Sequence, residues 1–328
     1  MNPKQTGRII IYGAGGIGCT LGGHLTLAGF EVLLIGRPGH INQINQNGLR
    51  FINPSGTFVL KIAGYTSPAE IAFQASDVVF LTTKSQDTEK AMQELKKAVE
   101  DIPVFSFQNG VRNEETIAHY YPRVYGAMIR IGAEYVKDGE IMVRRDPPGW
   151  AIISRFPNGK DQLLEAQAAA LRRAGFYALE VEDALPYQWG KLLMNLSNAV
   201  GAITDRREPE TARISSAVRK EAEAMLRRAG IQWITHEETL LQWPEIREKP
   251  RGILRTEGQS STWQSLARRQ GSVETEFLNG EIVRLAAQLG QEAPVNEGLL
   301  RISTQMARER ELPGKYSVAE LEKLLGIS

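Results

Sequence analysis

The sequence of 328 residues has very little cysteine and no long apolar run. Its one cysteine, Cys19, cannot form an internal disulfide, which is typical of proteins from a reducing compartment. No window approaches the roughly 18 uninterrupted apolar residues that a membrane-spanning helix needs. The N-terminal residues 1–6 are polar and lack the apolar stretch of a signal peptide. The sequence therefore predicts a cytoplasmic protein that has no membrane partner.

An excess of charge of either sign is also lacking. The chain has 39 Lys and Arg against 38 Asp and Glu, a formal net charge of +1, which argues against a nucleic-acid partner. Its histidines share no metal-ligand spacing, and the stretch His236–Leu240 lacks the second histidine of a zinc protease motif. The serine hydrolase motif G-x-S-x-G is absent from the sequence. These absences argue against a metalloenzyme and against a hydrolase.

The length and the hydrophobic patterns predict two domains, since a domain usually has roughly 100–200 residues. Strands alternate with helical segments up to about residue 181, which predicts an α/β fold with a Rossmann-like, doubly wound parallel sheet. An all-helical half follows, so we expect an α/β domain over 1–183 and a helical domain over 184–328. The predicted strands are 8–12, 31–35, 77–82, 103–107, 124–131, 141–145, 150–154 and 176–181, of which 124–131, 141–145 and 150–154 extend the sheet antiparallel. The predicted helices are 17–28, 161–173, 189–202, 215–228, 273–289 and 317–325, and 243–261 is a predicted loop.

A glycine-rich turn, Gly13-Ala14-Gly15-Gly16-Ile17-Gly18, follows the first predicted strand and opens the first predicted helix. This context is the one that a dinucleotide-binding G-x-G-x-x-G motif requires. Gly13 permits the tight turn, Gly15 lets a pyrophosphate approach the backbone, and Gly18 allows close packing of helix on strand. The alternative is a turn that merely connects the two elements. The motif predicts that these six residues bind the phosphates of a dinucleotide at the helix N-terminus.

The end of the second predicted strand indicates which dinucleotide binds. NAD sites usually have an acidic residue there, which accepts a hydrogen bond from the ribose 2′-hydroxyl. This chain has Ile35-Gly36-Arg37 instead, and a guanidinium suits a 2′-phosphate. Arg37 therefore predicts NADPH as the cofactor, although an exposed loop arginine is the alternative interpretation.

A polar stripe interrupts an otherwise apolar predicted helix. Lys191, Asn195 and Asn198 fall within roughly 60° of arc if 189–202 is one continuous helix. Polar side chains on an apolar helix are costly unless they bond to something. The stripe is thus a candidate for substrate contact, and a solvated outer face is the alternative.

Taken in order, the motifs resemble those of the ketopantoate reductase family, over about residues 8–300. The motifs that carry this resemblance are the glycine turn, Thr83-Lys84-Ser85, Gln108-Asn109-Gly110, Trp189-Gly190-Lys191-Leu192-Leu193-Met194-Asn195 and Glu274-Thr275-Glu276-Phe277-Leu278-Asn279-Gly280. The resemblance implies NADPH-dependent reduction of 2-dehydropantoate, a 2-oxo acid, to pantoate. It also implies a helical domain like the C-terminal domain of 6-phosphogluconate dehydrogenase.

By resemblance, Lys191 is the general acid that protonates the carbonyl oxygen as hydride arrives from the nicotinamide. Glu274 holds the distal hydroxyl of the substrate. The implied substrate-binding residues are Asn109, Asn195, Asn198, Ser261 and Glu274, and the implied cofactor-binding residues are Gly13, Ala14, Gly15, Gly16, Ile17, Gly18, Arg37, Lys84, Asn109 and Glu274.

Two departures from the family pattern fall among these residues. The family's second asparagine lies eight positions after the lysine, where this chain has Ala199, and Asn198 is one position earlier. The spacing from Ser261 to Glu274 is one residue longer than usual. A related β-hydroxyacid or opine-type dehydrogenase and a non-catalytic dinucleotide sensor are the alternative functions, and the sequence leaves a homodimer open.

Overall fold

The computed structural model describes residues 7–247, 252–253 and 260–327. The polar N-terminal residues 1–6 and parts of the predicted loop 243–261 lie outside the described residues. In its described parts the chain packs as two units, one spanning Met1–Tyr187 and Glu237–Thr256, the other Gln188–His236 and Glu257–Ser328. None of the helices in the described ranges has the length and apolar composition needed to cross a membrane.

The elements are numbered in chain order. The strands are β1 (Ile9–Tyr12), β2 (Val32–Ile35), β3 (Leu49–Asn53), β4 (Gly56–Leu60), β5 (Ala63–Tyr65), β6 (Val78–Leu81), β7 (Val104–Ser106), β8 (Val124–Ile131), β9 (Ala133–Lys137), β10 (Glu140–Val143), β11 (Arg145–Asp146), β12 (Gly149–Arg155), β13 (Tyr177–Glu180) and β14 (Gly252–Ile253). The helices are α1 (Gly16–Leu27), α2 (Pro38–Asn47), α3 (Thr88–Ala98), α4 (Asn113–Ala118), α5 (Gln162–Arg173), α6 (Leu185–Asn195), α7 (Asn198–Thr204), α8 (Ala212–Arg228), α9 (His236–Gln242), α10 (Ser261–Ala267), α11 (Asn279–Gln288), α12 (Pro294–Arg308) and α13 (Val318–Leu324).

The main sheet has the strand order β13-β12-β8-β7-β6-β1-β2-β5. The strands from β8 to β5 pair in parallel, and β12 pairs antiparallel with β8. All of β1 is buried, with Ile9 and Ile11 in one apolar cluster and Ile10 and Tyr12 in another. A strand that is covered on both faces must be apolar throughout, which explains this run. The predicted α/β fold with a Rossmann-like sheet and a helical second half is confirmed.

A second sheet has the order β4-β3-β10-β9. Its strand β10 pairs in parallel with β3, so the prediction that 141–145 extends the main sheet is wrong. The reason is that β12 takes the antiparallel place beside β8, while β10 finds a partner in a segment for which we predicted no strand. Helix α1 packs against β9 and β10, and the ring of Phe51 lies 2.4 Å from where a β-carbon on Gly23 would be. The second sheet therefore covers the helix that follows the glycine turn.

The helical unit differs from the prediction in that two predicted helices are divided and that α10 and α12 lie where no helix was predicted. The predicted helix 189–202 is divided into α6 and α7, and at the break the carbonyl of Leu196 accepts a hydrogen bond from the Asn279 side chain (3.3 Å). The predicted helix 273–289 is divided into a 3-10 turn, Glu274–Phe277, and α11, with Leu278 in a non-helical conformation (φ −119°, ψ −88°) between them. The prediction that Lys191, Asn195 and Asn198 lie on one continuous helix is therefore wrong, since Asn198 begins α7 and does not lie on α6.

Candidate functional site

The glycine turn between β1 and α1 is fixed by close backbone contacts. Gly13 has a φ of +116°, and a β-carbon there would lie 2.5 Å from the backbone nitrogen of Thr83. A β-carbon on Gly18 would lie 2.3 Å from the Gly13 carbonyl oxygen. Both contacts are closer than any real β-carbon makes, so the protein's own packing requires glycine at these two positions.

Gly15 differs, because nothing in the protein's packing excludes a side chain there. The nearest atom to a β-carbon on Gly15 would be 3.9 Å away, and on Gly16 it would be 3.8 Å away. Gly15 precedes α1, whose first N–H groups have no partner within the helix, and it carries no side chain that could cap them. Space beside exposed N–H groups suits the pyrophosphate of a dinucleotide, and the residues present fit that group.

Two loops at the carboxyl ends of β6 and β7 carry Lys84 and Asn109. The Asn109 carbonyl accepts hydrogen bonds from the Ser85 hydroxyl (2.7 Å) and from the Asn113 side-chain amide (2.6 Å). These bonds tie the two loops together beside the glycine turn, because β6 also pairs with β1. Ligands of open α/β sheets bind at this edge.

Sequence reasoning missed the side chains that join these loops. The buried Gln108 amide donates to the Thr83 carbonyl (2.9 Å) and to the Thr88 hydroxyl (2.8 Å). Thr88 in turn donates to Asn113 (3.1 Å). Gln108 belongs to the motif Gln108-Asn109-Gly110, and this motif could have indicated its role. Thr88 and Asn113 left no signal, since no helix was predicted over α3 or α4.

Arg37 is exposed directly before α2, and its guanidinium carbon lies 5.6 Å from the centroid of the Tyr135 ring. Partial burial raises the pKa of Asp87, while the positive charges of Lys84, Lys90 and Arg37 act in the opposite direction. Arg37 and Lys84 thus act on one carboxylate at the ligand-binding edge of the main sheet. Cationic groups at this edge favour an anionic ligand.

Lys191 and Asn195 lie one turn apart on α6, in the second unit. Gly190, which precedes Lys191, is close-packed, because a β-carbon there would lie 1.8 Å from the carbonyl oxygen of Ile234. This approach fixes the backbone of α6 beside the lysine. The half-buried Lys191 and Asn195 share a face, as positions four apart on a helix do.

The remaining predicted residues lie in the same unit. Glu274 is buried, with 6% of its surface exposed, at the start of the 3-10 turn Glu274–Phe277. Ser261 begins α10, and the hydroxyl of its neighbour Ser260 donates to the Asn198 carbonyl (3.4 Å). The structure therefore brings the start of α10 and the start of α7 together.

A relay of buried amides joins several of these segments. The Asn279 amide nitrogen donates to the Asn296 side-chain oxygen (3.0 Å) as well as to Leu196. The Asn296 amide nitrogen donates to the Glu221 carboxylate (2.8 Å), which fixes the orientation of both amides, because a carboxylate only accepts. The relay ties the end of α6 to the segment that follows Glu274. Asn279 stands in a quoted motif, but sequence reasoning gave it no role.

The predicted residues form two groups, each within one unit. The first unit holds the glycine turn with Arg37, Lys84 and Asn109, and the second unit holds Lys191, Asn195, Asn198, Ser261 and Glu274.

Comparison with known proteins identifies the family. The model of the ketopantoate reductase PanE/ApbA family matches residues 9–158, and the model of the family's C-terminal part matches residues 183–307. A 2-dehydropantoate 2-reductase of Pyrococcus horikoshii is 32% identical over 88% of this chain and 94% of its own length. The crystal structure of a PanE/ApbA family ketopantoate reductase from Ralstonia eutropha JMP134 is 28% identical, with a TM-score of 0.76 over 92% of this chain and 99% of that one. D-mandelate dehydrogenase, solved with NADH and anilino(oxo)acetate, has the same fold, with 22% identity and a TM-score of 0.79 over 92% of this chain and 99% of that one. The chain belongs to the ketopantoate reductase PanE/ApbA family and is an oxidoreductase.

Proposed function

We propose that this protein catalyses the NADPH-dependent reduction of 2-dehydropantoate to pantoate. The observation that carries the proposal is that this one chain matches both models of the family. Its first unit has a glycine turn that is open to a ligand, and its second unit has Lys191 and the buried Glu274. The relative from Pyrococcus horikoshii, named 2-dehydropantoate 2-reductase, supports this substrate.

The dinucleotide would be held mainly by the first unit. The residues proposed to bind it are Gly13, Ala14, Gly15, Gly16, Ile17, Gly18, Arg37, Lys84 and Asn109, together with Glu274 from the helical unit. Backbone N–H groups at the start of α1 bind the pyrophosphate, and the Arg37 guanidinium binds the 2′-phosphate that distinguishes NADPH from NADH. When bound, the nicotinamide supplies the hydride that reaches the 2-oxo carbon.

The helical unit would supply the proton and hold the substrate. As the carbonyl carbon gains a hydride, its oxygen gains negative charge, which a positioned ammonium group stabilises. Lys191 donates the proton that turns this oxygen into the hydroxyl of the product, leaving a neutral amine that regains a proton from solvent. Glu274 accepts a hydrogen bond from the distal hydroxyl of the substrate. The amides of Asn109, Asn195 and Asn198 and the hydroxyl of Ser261 orient the substrate.

We further propose that residues 1–183 act as the dinucleotide domain and residues 184–328 as the substrate domain. The family models support this division, since they separate the chain between residues 158 and 183. The cytoplasmic location stays a prediction from the sequence, and the sequence leaves a homodimer open.

A second candidate is a dehydrogenase for another 2-oxo acid. The fold of D-mandelate dehydrogenase is compatible with it, and that enzyme was solved with NADH and an oxo acid. The test is to follow oxidation of NADPH and of NADH with 2-dehydropantoate and with a panel of branched, aromatic and unbranched 2-oxo acids. The proposal requires the highest kcat/KM for NADPH with 2-dehydropantoate. A higher value for an acid without the distal hydroxyl would favour the second candidate, and no oxidation with any acid would favour the dinucleotide sensor.

A further inference from the structure

Tyr135 lies beside two parts of the proposed cofactor site, although it is distant from both along the sequence. It belongs to β9 of the second sheet, and its backbone nitrogen lies 3.8 Å from where a β-carbon on Gly16 would be. Its ring lies below the Arg37 guanidinium, with 5.6 Å from the guanidinium carbon to the ring centroid. Within the first unit, therefore, Tyr135 stands next to both the glycine turn and Arg37.

The distance between Arg37 and Tyr135 is within the range of a cation–π contact, about 6 Å. A guanidinium held over a ring has fewer orientations, and its planar set of N–H groups can then grip a phosphate in a fixed geometry. An exposed arginine otherwise loses rotamer freedom when it binds an anion. A ring that already holds the guanidinium reduces that loss.

Tyr135 is itself held in place. Its hydroxyl donates a hydrogen bond to the Asp138 carboxylate, and its ring packs 4.9 Å from the ring of the buried His40. The Nδ1 atom of His40 accepts from the backbone N–H of Gly139 (2.9 Å), which leaves the proton on Nε2, 3.4 Å from the Cys19 sulfur. Burial lowers the pKa of His40, and Arg37 lowers it further against the opposing effect of Asp138. His40 is therefore neutral near pH 7 and does not compete with Arg37 for the ring.

We propose that Tyr135 is a positioning residue that determines cofactor specificity, because its ring holds Arg37 in the orientation that selects a 2′-phosphate over a 2′-hydroxyl. This inference rests on the proposed function, in which Arg37 binds the 2′-phosphate of NADPH. A cation–π contact at an exposed site corresponds to about a two- to fivefold change in affinity. Loss of the ring should weaken the binding only of ligands that carry a 2′-phosphate.

The experiment measures binding by calorimetry to the purified full-length protein. The ligands are two pairs that differ by the 2′-phosphate. NADPH and NADH are one pair, and adenosine 2′,5′-bisphosphate and adenosine 5′-monophosphate are the other, which lacks the nicotinamide. Tyr135→Leu should weaken NADPH and the bisphosphate about two- to fivefold and leave the other two ligands unchanged. Tyr135→Phe and Tyr135→Trp keep an aromatic ring and should retain the wild-type ratio. If the leucine variant does not fold, Tyr135→Gln, which also lacks a ring, replaces it with the same expected losses. Tyr177→Leu, a half-buried tyrosine on β13 at the far edge of the main sheet, is the matched control.

A double-mutant cycle separates positioning from general damage. If Tyr135 acts through Arg37, then Tyr135→Leu should have no further effect on the bisphosphate when it is added to Arg37→Ala. Equal losses for ligands with and without the 2′-phosphate, or an unchanged ratio in Tyr135→Leu, would overturn the role of Tyr135 while leaving the proposed cofactor standing. A wild-type protein that binds both nucleotides equally would overturn the choice of NADPH and this inference together.

Discussion

The carbonyl oxygen of Ile234 lies 1.8 Å from the position that a β-carbon on Gly190 would occupy. Gly190→Ala must therefore push α6 away from the segment before α9, and a clash of this kind costs about 1–3 kcal/mol of unfolding free energy. Because Lys191 follows directly, turnover should fall as well. Urea unfolding and steady-state kinetics measure the two effects. Gly280→Ala in α11 is the control, since its nearest neighbour would be 3.6 Å away, and a similar loss there would contradict the steric explanation.

Lys191→Ala should lower kcat by about 10²–10⁴-fold, which is the usual contribution of a positioned acid–base group. The dissociation constant of NADPH should barely change, because the lysine is proposed to act on the substrate. Lys220→Ala, on the exposed face of α8, controls for the loss of a positive charge in the same unit. A Lys191 variant with wild-type turnover would move the role of acid elsewhere, with Lys84 as the next candidate.

Glu274 allows two interpretations that one variant can separate. If its carboxylate only stabilises the helical turn that it begins, Glu274→Ala should lower the unfolding free energy by about 0.3–1 kcal/mol and leave the kinetics intact. If it binds the substrate hydroxyl, as we propose, the variant should raise KM, lower kcat/KM, or both. Glu276→Ala, an exposed position of the same turn, is the matched control.

A substrate analogue without the distal hydroxyl sharpens this test. It should be a poor substrate of the wild type and should lose little more in the Glu274→Ala variant. Equal losses for the analogue and for 2-dehydropantoate would mean that Glu274 does not recognise the hydroxyl.

Arg37→Ala should weaken NADPH about ten- to a hundredfold, the range expected for one charge-assisted hydrogen bond to a phosphate. NADH affinity should stay close to that of the wild type, and fluorescence titration measures both. Arg173→Ala removes another exposed arginine of the first unit, whose guanidinium carbon lies 5.9 Å from the Phe30 ring centroid. Losses that are equal for NADPH and NADH would contradict the assignment of Arg37 to the 2′-phosphate.

His24 should make the fold sensitive to acid. It lies on α1 between the rings of Phe51 and Phe176, with centroid distances of 5.1 and 5.3 Å, and burial lowers its pKa from 6.5 to about 4. Below about pH 6.5 the unfolded chain binds a proton that the folded protein does not bind until about pH 4. The unfolding free energy should therefore fall by up to about 3 kcal/mol as the pH drops through this window, and stay constant above it.

Urea unfolding at several pH values between 7 and 4.5 measures this effect. His24→Phe should reduce the slope of the unfolding free energy against pH, whatever it does to the stability at pH 7, because the slope reports the number of protons bound. His40, whose pKa burial also lowers, keeps its own share of the slope. His119→Phe, at the exposed end of α4, is the control. An unchanged slope in His24→Phe would assign the acid sensitivity to other groups.

The parts of the fold that could be predicted from the sequence are those with local causes. The buried run Ile9–Tyr12 and the glycines after it lie within ten residues, so strand, turn and helix are readable from the sequence alone. The second sheet is different, because β10 pairs with β3 and no local pattern reports a partner so distant along the chain. The contact of Tyr135 with Arg37 depends on that sheet and was unreadable for the same reason.

The candidate site shows the same contrast. The motifs around Lys191 and Glu274 could be recognised in the sequence, but the end of α6 could not. Its apolar spacing continues past Leu196, but the helix is interrupted there, at a carbonyl that bonds to the side chain of Asn279, far along the chain. Helix propensity and apolar spacing are local, so they could not report a contact with a residue that only the fold brings close.

The pairing of β10 with β3 also sets an order of events during synthesis. Arg50 and Glu140, which form an ion pair of 2.9 Å between these strands, leave the ribosome at widely different times. The glycine turn and α1 emerge early, but the strands that cover α1 are complete only after residue 143 has followed. Chains form distant contacts of this kind late, because they must first close a long loop. A growing chain shorter than this would leave the side of α1 that bears Gly16 and Gly23 uncovered, so the glycine turn gains its full support only after these strands have emerged.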